Sequence, residues 1–291
     1  MNHSFPRKKP SPVPKIIVTP EYLAKGSLKK SYINTRLAFN VPWMGVVAMA
    51  FAKYPFFYNA LWKYIYPLTK SIEFNKLCKK LVIISKKKAL ELKPKPLIKK
   101  LKKIGYNNYE IKKINEVNLI FTTGNMPYLI MATIARILLN KGELINTKPF
   151  KNNNNPSITY DKNYMLLIEQ HHANYSLKEL YESIKTNLDL TFLNTDYRAF
   201  ARWPSYFEMS WKHFLPTLLS KKYEEKVLEI HNFIIKEALM LPNPKKINSI
   251  EIINAAKKDK KISEIKNIVA LFQWLLPGLI TNVAFMREQI K

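Results

Sequence analysis

The apolar positions of this 291-residue chain recur at helical spacing. Trp43, Val47, Ala50, Phe51 and Tyr54 form one stripe with the 3.6-residue period of a helix. Phe192, Asp196, Ala199, Phe200 and Trp203 form a second stripe, broken by one acid. Each stripe ends before an aromatic residue and a proline, Tyr54-Pro55 and Trp203-Pro204. Proline suits the first position of the next helix, where its missing N–H costs nothing. The pattern predicts helices over 43–53, 55–66, 71–92, 95–104, 109–120 and 127–140. It predicts others over 176–187, 192–202, 204–215, 218–239, 249–257 and 262–289. Glycine is scarce, at 6, and helix formers are plentiful, so the expected class is all-α.

The chain also repeats itself. Ser27–Pro67 lies on Ser176–Pro216 without a gap, at an offset of 149. Identities fall at Ser27, Leu28, Lys29, Tyr32, Ala50, Phe51, Ala52, Pro55, Trp62, Lys63 and Pro67. Near the ends of the two halves, Pro127-Tyr-Leu-Ile130 matches Pro277-Gly-Leu-Ile280. This predicts two helical repeats, 16–140 and 165–291, packed about a pseudo-twofold. Residues 141–164 are rich in Asn and Pro and read as a linker, and 1–15 as a loose basic tail.

A duplicated chain provides a comparison with itself. Position 47 is the twin of position 196, so the scaffold accepts Val where the second copy has Asp. The residues one helical turn from Asp196 are Phe192, Leu193, Ala199 and Phe200, none of them a cation. An acid on such a face is costly unless something pairs with it or uses it. The alternatives are a buried structural carboxylate and a general base whose pKa is raised by desolvation. Asn125 differs from its twin Leu275 in the same way, although an Asn near the start of a helix also reads as a cap. Asn194 (twin Gly45) and Arg198 (twin Met49) are further asymmetries.

Composition narrows the options. The net charge is +27, carried by 42 Lys and 6 Arg. Lysine scattered along the solvated faces of helices points to compositional bias rather than a specific nucleic-acid surface, which would favour Arg. The charge would still concentrate a small anionic substrate. The single cysteine, Cys78, precludes an intrachain disulfide or a cysteine zinc site and fits a reducing cytoplasm. Glu169 and His172 have ExxH spacing, but no second ExxH exists, so no metal is expected. No apolar run reaches the length of a membrane-spanning helix, so no membrane partner is expected.

The segments NVPWMGVVAMAFAKYPFFYNALW (40–62), TTGNMPYLI (122–130) and LNTDYRAFARWPSYFEMSW (193–211) resemble the DehI-type, group I, 2-haloacid dehalogenases. The resemblance spans most of the chain from about residue 20. It implies an all-helical, often dimeric enzyme of two pseudo-symmetric repeats packed together with the site between them, and no metal or organic cofactor. It implies that an aspartate activates water for direct attack on C2 of a 2-haloalkanoic acid, with inversion and no ester intermediate. The matching positions are Asp196 for the base and Asn125 for the group holding the water. Thr195 stands at a small hydroxyl position and Trp43 at an aromatic lining the pocket. Val46 falls where the family can carry a larger aromatic. The alternative is a helical interaction protein that keeps the fold without the reaction.

Overall fold

The computed structural model describes residues 5–149, 151 and 165–291. Among them are twelve α-helices and no strand. The first six are α1 (Gly26–Phe39), α2 (Val46–Ala52), α3 (Pro55–Thr69), α4 (Ile72–Glu91), α5 (Ile98–Lys103) and α6 (Asn108–Leu139). The second six are α7 (Tyr175–Leu188), α8 (Thr195–Phe200), α9 (Pro204–Leu218), α10 (Lys221–Leu239), α11 (Ser249–Lys258) and α12 (Ile262–Glu288).

Local signals act twice, at the same offset. Asn40 and Asp189 end α1 and α7 in the left-handed conformation that Asn and Asp tolerate. Pro55 and Pro204 open α3 and α9. Ser71 and Ser220 cap α4 and α10, accepting from the N–H groups of Phe74 and Tyr223. Tyr32 donates its hydroxyl to the Thr19 carbonyl, and Tyr181 donates to that of Ile168. Each pair of positions differs by 149.

Two helices depart from the sequence pattern. α1 was not expected, because only Tyr32, Thr35 and Phe39 are buried and its apolar stripe is narrow. α6 runs unbroken through Pro127, where a new helix was expected to begin. Proline removes one helical bond and crowds the carbonyl four residues back, at a cost of about 3 kcal/mol. Upstream, the Thr122 and Thr123 hydroxyls add bonds to the carbonyls of Asn118 and Leu119. Every residue from Gly124 to Ala135 is buried, so tertiary packing outweighs the local penalty.

α6 and α12 make the most extensive helix–helix contact among the described residues and form the core. α4 packs on α12, α10 packs on α6, and α11 packs on α3. Helices from before and after the 141–164 segment therefore interleave. Of that expected linker, residues 150 and 152–164 lie outside the described residues; nearer its start, the Asn146 carbonyl accepts from the Asn243 N–H.

α12 is long and apolar enough to cross a membrane by length and average composition, although no unbroken apolar run of that length marks it in the sequence. Of its most apolar window, 89% is buried in the protein. A helix surrounded by other helices is apolar on all sides for that reason.

Residues 1–4 of the expected tail lie outside the described residues, but residues 5–9 are seated on the second half and on the end of α6. Phe5 offers its carbonyl to His231 Nε2 at 3.0 Å and its ring to Arg136. Arg7 pairs with Glu224 and lies over Trp274, and Lys9 pairs with Asp189. The buried His231 also meets Gln273, and burial pushes its pKa down to about 4.

Packing at the middle of α6 is tight. A Cβ on Gly124 would lie 2.3 Å from Cη2 of Trp43. Gly124→Ala should therefore destabilise the protein by about 1–3 kcal/mol, through overpacking against a buried ring. A lowered urea midpoint with an unchanged m-value would show it.

Candidate active site

α2 and α8 begin beside the middles of α6 and α12, and a small cavity opens where the four meet. Its lining includes Trp43, Val46, Asn125, Thr195 and Asp196, all five residues singled out from the sequence. The volume is about 20 Å³, on the order of one water. The rest of the wall is Gly45 and Val47 from the α2 end, Asn194 from the α8 end, Tyr128 from α6, and Phe272, Leu276 and Leu279 from α12.

Asp196 is the second residue of α8 and is 2% exposed. Its Oδ1 accepts from Asn125 Nδ2 at 2.6 Å, across 71 residues of sequence. Asn125 is 3% exposed and lies inside α6, so it is not a helix cap. The acid thus meets a neutral amide. Burial pushes the Asp196 carboxyl up to about 6. The Asn125 bond, the N–H of Asp196 itself and the charge of Arg198 act in the opposite direction and do not cancel it.

Trp43 and the loop before α2 are held from two sides. The Tyr128 hydroxyl accepts from the Gly45 N–H at 2.8 Å and donates to the Trp43 carbonyl at 3.0 Å. Glu21 accepts from the Met44 N–H and pairs with Arg36. Gly45 has a physical reason: a Cβ there would lie 2.8 Å from the Tyr128 ring. The twin of Tyr128 is Gly278, and the twin of Gly45 is Asn194. The ring that covers the start of α2 thus has no counterpart over α8. The Trp43 ring packs on Phe121 at 4.6 Å.

Sequence reasoning missed Tyr128, Phe272, Leu276 and Leu279. The last three are ordinary apolar residues of a core helix and carry no signal. Tyr128 versus Gly278 was visible as an asymmetry inside the Pro-x-Leu-Ile match. Asn194 Oδ1 is buried without a hydrogen-bond partner and belongs to the cavity wall. A larger cleft of about 500 Å³ lies between residues 17–19 and helices α1, α2 and α3, and no carboxylate lines it. Among the described residues no group of three or more His, Cys, Asp or Glu is placed to hold a metal.

The buried acid has a stability consequence whose sign follows from its pKa. The folded state holds the Asp196 proton up to about pH 6, whereas an unfolded Asp loses it near its ordinary value of 3.8. The penalty for ionising the buried group is absent below pH 4, grows between pH 4 and 6, and is complete above. Asp196→Asn should therefore match the wild type in stability near pH 4 and exceed it by roughly 3 kcal/mol at pH 7. Urea unfolding of both proteins across this range is the measurement.

No protein-family model matches the chain. Two curated proteins resemble it over nearly their whole lengths. An (R)-2-haloacid dehalogenase from Rhizobium sp. (strain NHG3) is 36% identical over 246 residues, 84% of this chain and 95% of the relative. An (R)-2-haloacid dehalogenase from Pseudomonas putida is 30% identical over 291 aligned residues, 96% of this chain and 95% of the relative. Among solved structures, a D-2-haloacid dehalogenase in complex with L-LA superposes with a TM-score of 0.89. It is 28% identical, and the match covers 98% of this chain and 99% of that one. A mutant D-2-haloacid dehalogenase with D-2-CPA gives a TM-score of 0.90 at the same identity and coverage. With an all-helical fold shared from end to end and identity above 30% to proteins of one kind, the chain belongs to the DehI-type, group I, 2-haloacid dehalogenases, hydrolases acting on carbon–halide bonds.

Proposed function

We propose that the enzyme hydrolyses short (R)-2-haloalkanoic acids by direct attack of water activated by Asp196. The observation that carries this reading is the Asp196–Asn125 pair, buried in an apolar cavity with no cation bonded to the acid. A carboxylate with a pKa of about 6 is mostly ionised at neutral pH and still basic enough to take a proton from water. Asn125 fixes the carboxylate through Oδ1 and has its own amide oxygen with which to hold the water.

The reaction balances simply. Water oxygen forms a bond to C2 as the carbon–halogen bond breaks and halide leaves on the opposite side. Asp196 takes the proton that water loses and later returns it to solvent. The products are the 2-hydroxy acid of inverted configuration, halide and one proton. No ester to the protein forms. Trp43, Val46, Phe272 and the leucines supply an apolar wall for the alkyl group and the leaving halogen. Thr195 offers a hydroxyl to the substrate. The choice of the (R) enantiomer follows the relatives, which are (R)- or D-2-haloacid dehalogenases. One solved neighbour is in complex with L-LA and a mutant neighbour is with D-2-CPA, and opposite configurations are what an inverting displacement relates.

Halide release from racemic 2-chloropropionate is the direct test. The wild type should stop at half conversion, having consumed one enantiomer. Asp196→Asn should lower kcat by about a thousandfold, within the usual range for loss of a general base. kcat/KM should rise through about pH 6 and level off above it, as the base ionises. Full activity in Asp196→Asn would remove Asp196 from the mechanism.

A further inference from the structure

Three residues on one side of the cavity are polar in the second half and have lost that character in the first. Thr195 corresponds to Val46, Arg198 to Met49, and Glu169 to Pro20. The structure brings the polar set together. The Arg198 guanidinium is bound by both Glu169 oxygens from one nitrogen, at 2.7 and 2.9 Å. Its other terminal nitrogen donates to Thr195 Oγ1 at 3.3 Å. Arg198 is only 15% exposed along its side chain.

The backbone delivers Glu169 to this place. The Ile168 N–H donates to the Arg198 carbonyl at 3.0 Å, and the Ile168 carbonyl accepts from Tyr181. In the first half Tyr32 makes the corresponding bond to Thr19. There the neighbouring positions are Pro20 and Met49, and Met49 borders the large cleft. The scaffold therefore closes on itself without an Arg–Glu pair at these positions, as it does without an acid at Val47.

We infer that Arg198, clamped by Glu169, is a positioning residue for the Asp196 site. Two effects follow from the geometry. A hydroxyl has one proton and two acceptor sites. With one acceptor site of Thr195 taken by Arg198, its proton is left to donate into the cavity that Thr195 lines. Arg198 also stands two residues from Asp196, and its positive charge favours the ionised acid. Among the described residues that line the cavity, Asp196 is the charged one. α2 presents Val46 and Val47, α6 presents Asn125 and Tyr128, and α12 presents Phe272, Leu276 and Leu279. On α8 itself the other titratable neighbour is Tyr197, whose hydroxyl accepts from Asn282. The Glu169 charge partly offsets that of Arg198.

This inference rests on Asp196 being the base, and opposite charge changes test it. Arg198→Met installs the twin's residue and removes the cation. The acid limb of kcat/KM should move up from about pH 6 by about half a unit or more, and kcat should fall about tenfold or more as Thr195 loses its orientation. Glu169→Gln keeps the cation and removes its counter-charge, so the limb should move down. Arg198→Lys keeps the charge without the fork. It should hold the limb in place while lowering kcat. A limb that stays put in both charge-changing variants, or moves the same way in both, overturns the inference, because a merely structural role has no reason to follow the sign of the charge. The carboxyl ¹³C resonance of Asp196, identified by its loss in Asp196→Asn, gives the same titration without substrate. Should Arg198→Met fail to fold, Glu169→Gln and this resonance decide. Should Asp196→Asn keep its activity while the resonance shifts as stated, the proposed mechanism falls and the electrostatic coupling stands.

Discussion

Everything about this molecule turns on keeping one carboxylate in an apolar interior without a cation bonded to it. A full ion pair would return the Asp196 pKa to the ordinary carboxylate range and tie up both oxygens. No partner at all would leave the acid protonated at neutral pH. The structure takes an intermediate course. A neutral amide from α6 and the first turn of α8 stabilise the charged form partially, and burial wins, leaving the carboxyl at about 6. The remaining penalty is borne by the rest of the fold, which is helical, extensively buried and held by many aromatic contacts.

The cavity needs both halves of the chain. α6 supplies Asn125 and Tyr128, α8 supplies Thr195 and Asp196, α2 supplies the wall with Val46, and α12 closes it with Phe272 and two leucines. The interleaving of α4 on α12 and α10 on α6 fixes the distance between the two long helices. The packing of α8 on α6 brings Asn125 to Asp196. Buried polar bonds support it from behind: Tyr223 donates to Asn282, and Asn282 donates to Tyr197, the residue beside Asp196.

Duplication made the polar residues legible. An acid opposite a valine, an amide opposite a leucine and an arginine opposite a methionine stand out once the 149 offset is applied. The apolar half of the wall had no such mark. Phe272, Leu276 and Leu279 are what any core helix carries, and only their neighbours make them part of a site. Pro127 misled because the local rule against proline is real, and a helix buried from Gly124 to Ala135 overrides it. The N-terminal residues misled for the opposite reason. Their charges read as solvated, yet Arg7 and Lys9 find acids and the Trp274 ring on the second half.

By itself the sequence determined the helical class, the element order, the caps and turns that recur at a fixed offset, and the polar residues the scaffold does not require. These are short-range properties, set by period, capping chemistry and the steric demands of proline and glycine. Only the tertiary structure decided that Asn125 faces Asp196 across 71 residues, that α6 continues through its proline, and that Glu169 meets Arg198. Each of those depends on how closely segments distant in sequence pack. That spacing is set by the summed volumes of many buried side chains, and no local stretch of sequence encodes it.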